Sequence, residues 1–271
     1  MDKLYRLVKA GGFCFKVFDV RIGVRVDDPA LVGPIESCLP PGWRPQRSVA
    51  VDRLYSFSVS GGKSLSAVRR FNLLYGNAEP LARTLRKEDL LDEFETNVNA
   101  YIAQASRRRF FVHAGVVGWK GQAIVVPGRS YSGKSTLVKE FLKHGATYYS
   151  DEFAVFDRRG YVYPFAKRLA IRDEVTQKQN RVSAEELGGT RGFKPLRVGL
   201  LLFTYYRRSA RWRPRQMSRG KGALGLLANA LSAREQPERA LVCLEGVVDA
   251  AQVLNGVRGE AKEVVQTILA G

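Results

Sequence analysis

Several features that would assign this chain to a familiar class are scarce or missing in its sequence. Its 271 residues include only three cysteines, Cys14, Cys38 and Cys243, with neither a Cys-x-x-Cys pair nor the spacing of a zinc site. This cysteine usage is typical of a reducing compartment. No apolar run approaches the roughly 18 residues that a membrane-spanning helix needs, and the amino terminus lacks the apolar core of a signal peptide. The sequence therefore predicts a cytoplasmic protein with no membrane partner.

Acidic residues are also few. The chain has 26 Asp and Glu against 44 Lys and Arg, which leaves a formal net charge of +18. Because 45% of the residues are hydrophobic, the chain can bury a core, and the excess charge has to lie on a folded surface. Charge alone leaves open whether that surface attracts nucleic acid, a phosphorylated ligand, an acidic peptide or an anionic membrane.

The patterning changes along the chain. Residues 1–75 form short β-rich runs separated by glycine and proline, and residues 88–106 have the apolar spacing of an amphipathic helix. From residue 110 onward, apolar strands alternate with helical segments, which predicts an α/β fold. We expect a β-rich N-terminal domain at residues 1–100, ending in the amphipathic helix, and a second domain at residues 101–271.

Within the second domain, the order strand, loop, helix, strand indicates an α/β unit with a parallel sheet. The helix begins near Gly133 and stops before Gly145. Strands are predicted at residues 110–118, 121–128, 146–156, 160–163, 169–171 and 197–205, and helices at residues 223–233 and 261–269.

The strongest motif lies where a strand leads into that helix. Residues 128–135, Gly-Arg-Ser-Tyr-Ser-Gly-Lys-Ser, fit the pattern Gly-x-x-x-x-Gly-Lys-Ser/Thr. In such a loop the backbone amides and the helix dipole bind phosphates, Lys134 reaches the β and γ oxygens, and the Ser135 hydroxyl binds Mg²⁺. The motif predicts ATP and Mg²⁺ as cofactors. The expected nucleotide-binding residues are Gly128, Arg129, Ser130, Tyr131, Ser132, Gly133, Lys134, Ser135 and Thr136.

Acidic residues and a histidine flank this loop. Asp151 and Glu152 lie on the very next strand, and His113 lies on the strand before the loop, so neighbouring strands can place all three around one pocket. A buried structural histidine and a solvated strand end are the alternative interpretations. Because adjacent residues on a strand point to opposite faces, Asp151 and Glu152 can serve one site only if the strand ends or twists there.

Three segments resemble the kinase core of HPr kinase/phosphorylase. Phe111-Val-His-Ala-Gly-Val is similar to the family's His-Gly-Val strand, residues 128–135 to its Gly-x-Ser-Gly-x-Gly-Lys-Ser loop, and Lys143-His-Gly-Ala-Thr-Tyr-Tyr-Ser-Asp-Glu to its Arg-Gly-His-x-Leu-Val-x-Asp-Asp strand. Residues 212–229 resemble stand-alone HPr-kinase-like proteins of bacterial gene clusters, some of which phosphorylate a serine of a lasso-peptide precursor. The resemblance covers residues 108–175 well and the carboxyl-terminal part loosely, whereas residues 1–100 carry none of it.

The resemblance implies a P-loop kinase core of HPr-kinase/PEP-carboxykinase type. It implies an ATP- and Mg²⁺-dependent transferase that phosphorylates a serine of a peptide or small protein, with Lys134 on the phosphates. It also implies that Asp151 is the general base, that Glu152 holds Mg²⁺ with Ser135, and that His113 orients Asp151. Thr136 and Glu152 stand where the family has Glu and Asp, so the resemblance does not extend to the family's reverse phosphorylase reaction, and the sequence leaves that activity open. The family's signature for binding HPr is not recognisable, which argues against HPr as the substrate.

A basic segment, residues 205–221, contains seven basic residues and no acidic one. Tyr205, Tyr206 and Trp212 are interleaved with the arginines, so the segment fits a solvated loop, an RNA-binding strip or a docking surface for an acidic peptide. Lys167 and Arg172 are further candidates for phosphate contact. Two alternatives to a peptide kinase stay open, a small-molecule kinase and a nucleotide-regulated nucleic-acid-binding protein, and the sequence leaves open whether the chain forms a homo-oligomer.

Overall fold

The structure, a computed structural model, describes residues 11–47, 50–59, 71–129, 132–172, 179–233 and 235–270, with the backbone only at residues 170–172 and 179–180. The chain divides into two compact units, Met1–Arg107 and Arg108–Gly271. None of the helices in these described ranges is long and apolar enough to cross a bilayer.

The first unit is built on one sheet. Its elements are β1 (Gly11–Val17), β2 (Val20–Val26), α1 (Val32–Ser37), β3 (Arg44–Gln46), β4 (Arg53–Ser58), β5 (Asn72–Gly76), β6 (Glu79–Thr84) and α2 (Lys87–Ala105). The strand order is β3-β1-β2-β4-β5-β6, and neighbours are antiparallel except for the parallel pair β2 and β4.

Helix α2 is the amphipathic helix that the sequence predicts. Its residues Leu90, Phe94, Val98 and Ile102 are completely buried, at the four-residue spacing that keeps side chains on one helix face. Phe94 makes edge-on ring contacts with two aromatic residues of β4. The domain boundary expected at residue 100 lies inside this helix.

The second unit contains the remaining elements. They are β7 (Phe110–Trp119), β8 (Gln122–Pro127), α3 (Lys134–Lys143), β9 (Thr147–Ser150), β10 (Phe153–Phe156), β11 (Tyr161–Tyr163), β12 (Leu169–Arg172), β13 (Gln179–Val182), β14 (Thr190–Arg191), β15 (Leu196–Tyr206), β16 (Arg215–Gln216), α4 (Arg219–Leu227), α5 (Pro237–Ala250), β17 (Gln252–Arg258) and α6 (Ala261–Ala270). The mixed α/β fold that the sequence predicts is therefore confirmed.

One large sheet organises this unit. Strand β15 is parallel to β8 on one side and to β17 on the other, whereas β7 is antiparallel to β8, β9 and β10. Strand β10 pairs with β7 and with β11, and β11 pairs with β15. Five strands therefore form a closed ring of pairings, in the order β7, β10, β11, β15 and β8. Apolar residues of α4 and α5 pack in one core cluster and those of α3 and α6 in a second, which places helices on both faces of the sheet.

Several elements differ from the sequence prediction. The strand expected at residues 146–156 is interrupted and forms β9 and β10. The helix expected at residues 223–233 is wrong in its bounds, since α4 begins and ends earlier. Helix α5 and strand β17 were not predicted, because valines and a glycine weaken the helical signal of α5 and only tertiary packing decides such a segment.

Candidate active site

The glycine loop, residues 128–133, joins β8 to α3 in the sequence, and the structure describes its residues 128, 129, 132 and 133. Gly133 is the N-cap of α3 and has a φ of +84°, a left-handed conformation that glycine adopts without steric cost. At the other end of the loop, the Gly128 amide donates to the His113 carbonyl over 3.1 Å. The loop thus presents the amino terminus of a helix, with its unpaired amides, beside strand β7.

The other predicted nucleotide-binding residues differ in their surroundings. Lys134 is buried, and its ammonium donates to the Arg129 carbonyl over 2.7 Å. The Ser132 hydroxyl is buried without a hydrogen-bond partner among the residues that the structure describes. Arg129 and Thr136 are exposed. Two predicted residues, Ser130 and Tyr131, lie outside the described residues.

Strand β7 places His113 beside Lys134. His113 and Gly115 point to the same face, because side chains alternate along a strand. On that face α3 approaches closely: a Cβ at Gly115 would lie 2.7 Å from Cγ2 of Val138 and 3.6 Å from Cβ of Lys134. Burial and the positive charge of Lys134 lower the pKa of His113 below its ordinary value of 6.5, against the opposing effect of Glu152. His113 is therefore neutral at neutral pH.

Asp151 and Glu152 lie in a bend between strands β9 and β10. Strand β9 ends at Ser150, whose hydroxyl oxygen accepts hydrogen bonds from the amides of Glu152 (3.1 Å) and Phe153 (3.0 Å). Because these residues lie between β9 and β10, strict alternation does not force their side chains to opposite faces. Strand β9 therefore ends just before the two carboxylates, so Asp151 and Glu152 can serve one site.

Asp151 lies against the glycine loop. Its Oδ2 accepts a hydrogen bond from the Ser135 hydroxyl over 3.3 Å, and its Oδ1 accepts one from the Tyr148 hydroxyl over 2.8 Å. Burial and the charge of Asp151 raise the pKa of Tyr148 well above its ordinary value, so this phenol stays a donor. The hydroxyl that the motif assigns to Mg²⁺ is thereby paired with the first of the two carboxylates.

Glu152 belongs to the same group of charges. Its carboxylate forms an ion pair with the ammonium of Lys167 over 3.1 Å, and its side chain is 40% exposed. The negative charges of Asp151 and Glu152 raise the pKa of Lys134, although burial lowers it by more. Lys167, expected at a phosphate, thus contacts a carboxylate, and the side chain of Arg172 lies outside the described residues.

These contacts bring five predicted site residues into one cluster, namely His113, Lys134, Ser135, Asp151 and Glu152. Two carboxylates, a hydroxyl, an ammonium and a neutral imidazole surround the amino terminus of a helix. Such a set can hold phosphates and a hard cation and can accept a proton.

No sequence pattern marks Arg258, the last residue of β17. Strands β8, β15 and β17 are parallel, so their carboxyl ends meet at the edge that carries the glycine loop. There the Arg258 guanidinium donates to the Gly133 carbonyl over 3.3 Å. The sequence could have indicated Arg258 only if it had predicted strand β17, because the parallel pairing of β17 brings the end of that strand to this edge.

The basic segment begins at the same edge of the sheet. The Arg207 amide donates to the Arg258 carbonyl over 2.9 Å. Farther along, Trp212 is buried, and its amide donates to the carboxylate of Glu263. Five arginines are exposed and have no salt-bridge partner within the described residues: Arg207, Arg208, Arg211, Arg213 and Arg215.

Comparisons with known proteins add distant similarity to solved structures. The sequence matches no protein-family model and no curated protein. Among solved structures the chain is similar to the HPr(Ser) kinase/phosphatase from Coxiella burnetii, with 10% sequence identity, a TM-score of 0.29, and coverage of 59% of this chain and 93% of that chain. A similarity at this level carries no argument about activity, so the function has to be inferred from the contacts of the site.

Proposed function

We propose that the protein is an ATP- and Mg²⁺-dependent kinase that transfers the γ-phosphoryl group to the hydroxyl of a serine in a peptide or small protein. The observation that carries the proposal is the hydrogen bond between Ser135 and Asp151, which joins a glycine loop at a helix amino terminus to a carboxylate. Phosphoryl transfer requires positioned phosphates, charge neutralisation and a base for the acceptor, and the cluster offers residues for each.

The start of α3 suits the phosphates of a nucleotide. Its unpaired amides and positive dipole end favour anions. The buried ammonium of Lys134 points to the same kind of ligand, as does the Ser132 hydroxyl, which has no partner among the described residues. At present Lys134 donates to the Arg129 carbonyl, and a phosphate oxygen can replace that acceptor.

Ser135 and Asp151 supply the oxygen ligands that Mg²⁺ prefers. Bound there, Mg²⁺ would neutralise charge on the β- and γ-phosphates. Because Asp151 contacts Ser135 directly, this carboxylate is the better candidate for the metal side. The family resemblance implies Glu152 for that role, and the contact of Asp151 with Ser135 favours an exchange of the two roles.

Glu152 then becomes the candidate for the general base. Its side chain is partly exposed, so an acceptor hydroxyl can reach it, and Lys167 holds its position. His113, neutral at neutral pH, lies in the same group of charges and helps to orient it. General bases of this kind typically contribute about 10²–10⁴-fold to the rate.

In the transfer step, the acceptor oxygen forms a bond to the γ-phosphorus while the bond from that phosphorus to the β–γ bridging oxygen breaks. The acceptor proton passes to the Glu152 carboxylate, and ADP leaves with the electron pair of the broken bond. Lys134 and the loop amides stabilise the negative charge that spreads over the phosphate oxygens.

The basic segment is the candidate docking surface for the acceptor. The first of its exposed arginines, Arg207, is hydrogen-bonded through its amide to the Arg258 carbonyl, and Arg258 in turn contacts Gly133. Arginine side chains bind carboxylates in a bidentate geometry, so an acidic peptide suits this surface. Nucleic acid is the competing ligand, because exposed Tyr205 and Tyr206 offer stacking surfaces.

The acceptor class can be tested by offering three acceptors in parallel. The full chain is incubated with Mg²⁺ and ATP labelled at the γ-phosphate, together with acidic serine peptides, hydroxylated metabolites or RNA. Label on peptide serine supports the proposal, whereas label confined to metabolites identifies a small-molecule kinase and overturns the peptide assignment. Absence of any transfer, combined with RNA binding that weakens steeply with salt, supports the nucleic-acid alternative.

The two carboxylate roles predict different phenotypes. Asp151→Asn should raise the Mg²⁺ concentration needed for half-maximal transfer, whereas Glu152→Gln should lower kcat by about 10²–10⁴-fold with little change in ATP affinity. Glu186→Gln is the matched control, because Glu186 forms an exposed ion pair with Arg168 on the surface of the same unit. If Asp151→Asn lowers kcat at saturating Mg²⁺ but leaves the Mg²⁺ concentration for half-maximal transfer unchanged, Asp151 is the base, as the family resemblance implies.

A further inference from the structure

Arg258 is a buried cation beneath the glycine loop. Only 2% of its surface is exposed, although arginine is rarely buried to this extent without an anionic partner. Its Nη1 donates to the Gly259 carbonyl over 3.1 Å and its Nη2 to the Gly133 carbonyl over 3.3 Å. Its Nε is buried and has no hydrogen-bond partner in the described ranges. Both hydrogen-bond partners are neutral carbonyl oxygens, and none of the described residues forms a salt bridge with this charge.

The electrostatic surroundings of Arg258 lead to the same conclusion. Burial lowers the pKa of Arg258, and the opposing effects come from Tyr206 and from Glu260, two positions along the chain. The Tyr206 ring centroid lies 5.3 Å from the guanidinium carbon, and no carboxylate of the described residues is within salt-bridge distance. A desolvated charge without a paired anion is unfavourable, and a ligand that brings an anion relieves this cost.

Gly133 is shaped to receive this side chain. A Cβ at position 133 would collide with Nη2 of Arg258. The absence of a side chain therefore serves two purposes, the left-handed φ of the loop and the close approach of the guanidinium. Since Gly133 caps α3, Arg258 adds its charge at the helix end where the unpaired amides already favour anions.

We propose that Arg258 is a positioning residue of the glycine loop whose buried positive charge is neutralised by the phosphates of the bound nucleotide. The proposal rests on the nucleotide-binding function proposed above and deepens it. Arg258 holds the Gly133 carbonyl at the start of α3, and the bound phosphates supply an anion that none of the described residues places within salt-bridge distance of Arg258. Phosphate affinity and the ordering of Arg258 are therefore coupled.

The test compares Arg258→Lys, which keeps the charge, with Arg258→Gln, which keeps hydrogen-bonding atoms but not the charge. Binding of ATP and of pyrophosphate is measured by calorimetry for the full chain with Mg²⁺. The control is Arg158→Gln, because Arg158 is an exposed arginine of the same unit. Melting temperatures without ligand report on folding.

We expect Arg258→Gln to weaken ATP and pyrophosphate by the same factor, about 10- to 100-fold, as loss of a charge-assisted contact would. Arg258→Lys should recover most of this affinity, and Arg158→Gln should bind like the wild type. A purely structural role would make both Arg258 variants lose affinity in step with their melting temperatures. Equal losses in the Lys and Gln variants, or no loss in the Gln variant, would overturn the proposal.

A measurement on the wild-type protein covers the case in which Arg258→Gln does not fold. In protein with ¹⁵N-labelled arginine, saturable binding of pyrophosphate should shift the Arg258 Nε–H resonance and slow its exchange with water. Binding of pyrophosphate without either change would overturn the inference and leave the proposed function intact. Failure of the wild type to bind ATP or pyrophosphate would overturn the proposed function and this inference with it.

Discussion

Gly115→Ala tests the close approach of α3 to β7, which places Lys134 beside His113. A Cβ at position 115 would lie 2.7 Å from Cγ2 of Val138, about 1 Å closer than the roughly 3.5–4.0 Å at which carbon atoms pack. Val138 is completely buried, so either its side chain or the start of α3 has to move. Overpacking of this kind costs about 1–3 kcal/mol, against roughly 0.4–1 kcal/mol gained by restricting the unfolded chain. We expect a net loss of about 1–2 kcal/mol in the free energy of unfolding.

The same substitution should impair the site. An outward shift of α3 carries Lys134 and Ser135 away from Asp151, and the hydrogen bond from Ser135 is already 3.3 Å long. A displacement of about 1 Å in a positioned group can cost about 10²-fold in rate. Both ATP affinity and kcat/KM should therefore fall, by about 10- to 100-fold.

Val138→Ala provides the matching half of a double-mutant cycle. Alone it removes two methyl groups from the core and should cost about 1.5–3 kcal/mol. In the double variant the new methyl at position 115 enters the space that Val138 vacates. The cost should then be smaller than the sum of the single costs by at least about 1 kcal/mol, and ATP affinity should return toward that of the wild type.

The cycle is measured by urea unfolding and calorimetry. Trp119 and Trp212 both belong to the second unit and report its unfolding by fluorescence. Costs that add within about 0.5 kcal/mol would refute the contact between positions 115 and 138. A Gly115→Ala variant that binds ATP as tightly as the wild type would refute the link between this contact and the site.

Two further predictions concern side chains that support the cluster. Tyr148→Phe removes the hydroxyl that donates to Asp151 over 2.8 Å. We expect the free energy of unfolding, measured by thermal denaturation, to fall by about 1.5–3 kcal/mol, and the Mg²⁺ concentration needed for transfer to rise. An unchanged Mg²⁺ titration would contradict the second part. His113 should titrate below 6.5 by NMR, because burial and Lys134 disfavour its protonated form. The folded protein then binds this proton less readily than the unfolded chain, so the free energy of unfolding should fall as the pH drops below 6.5. His113→Gln should make that fall less steep. A titration midpoint of His113 at or above 6.5 would contradict the expectation.

The site combines two buried cations with an anion-binding helix end. Burial lowers the pKa of both Lys134 and Arg258, and both lie at the start of α3. Charged groups that a fold holds away from water cost stability, and they cluster where a ligand of opposite charge binds. Part of the excess positive charge of the chain thus lies in this buried pair, and another part lies in the exposed arginines of the basic segment.

Local features of this protein follow directly from its sequence. The four-residue periodicity of α2 fixes which face is buried, and glycine at position 133 permits the left-handed turn into α3. The glycine loop could be recognised for the same reason, since its chemistry depends on consecutive residues and their immediate flanks. Such signals depend on backbone conformation and side-chain periodicity, which neighbouring residues determine.

The cluster itself depends on residues that are far apart in the chain. The alternation rule alone places Asp151 and Glu152 on opposite faces, and only the folded chain shows the bend at which both can serve one site. The contact of Ser135 with Asp151, and that of Arg258 with Gly133, depends on strand register and on how closely α3 packs against the sheet. The sequence by itself determined that a glycine loop follows a strand, whereas the tertiary structure decided which carboxylate and which arginine meet the residues beside it, because those contacts arise from packing between distant segments.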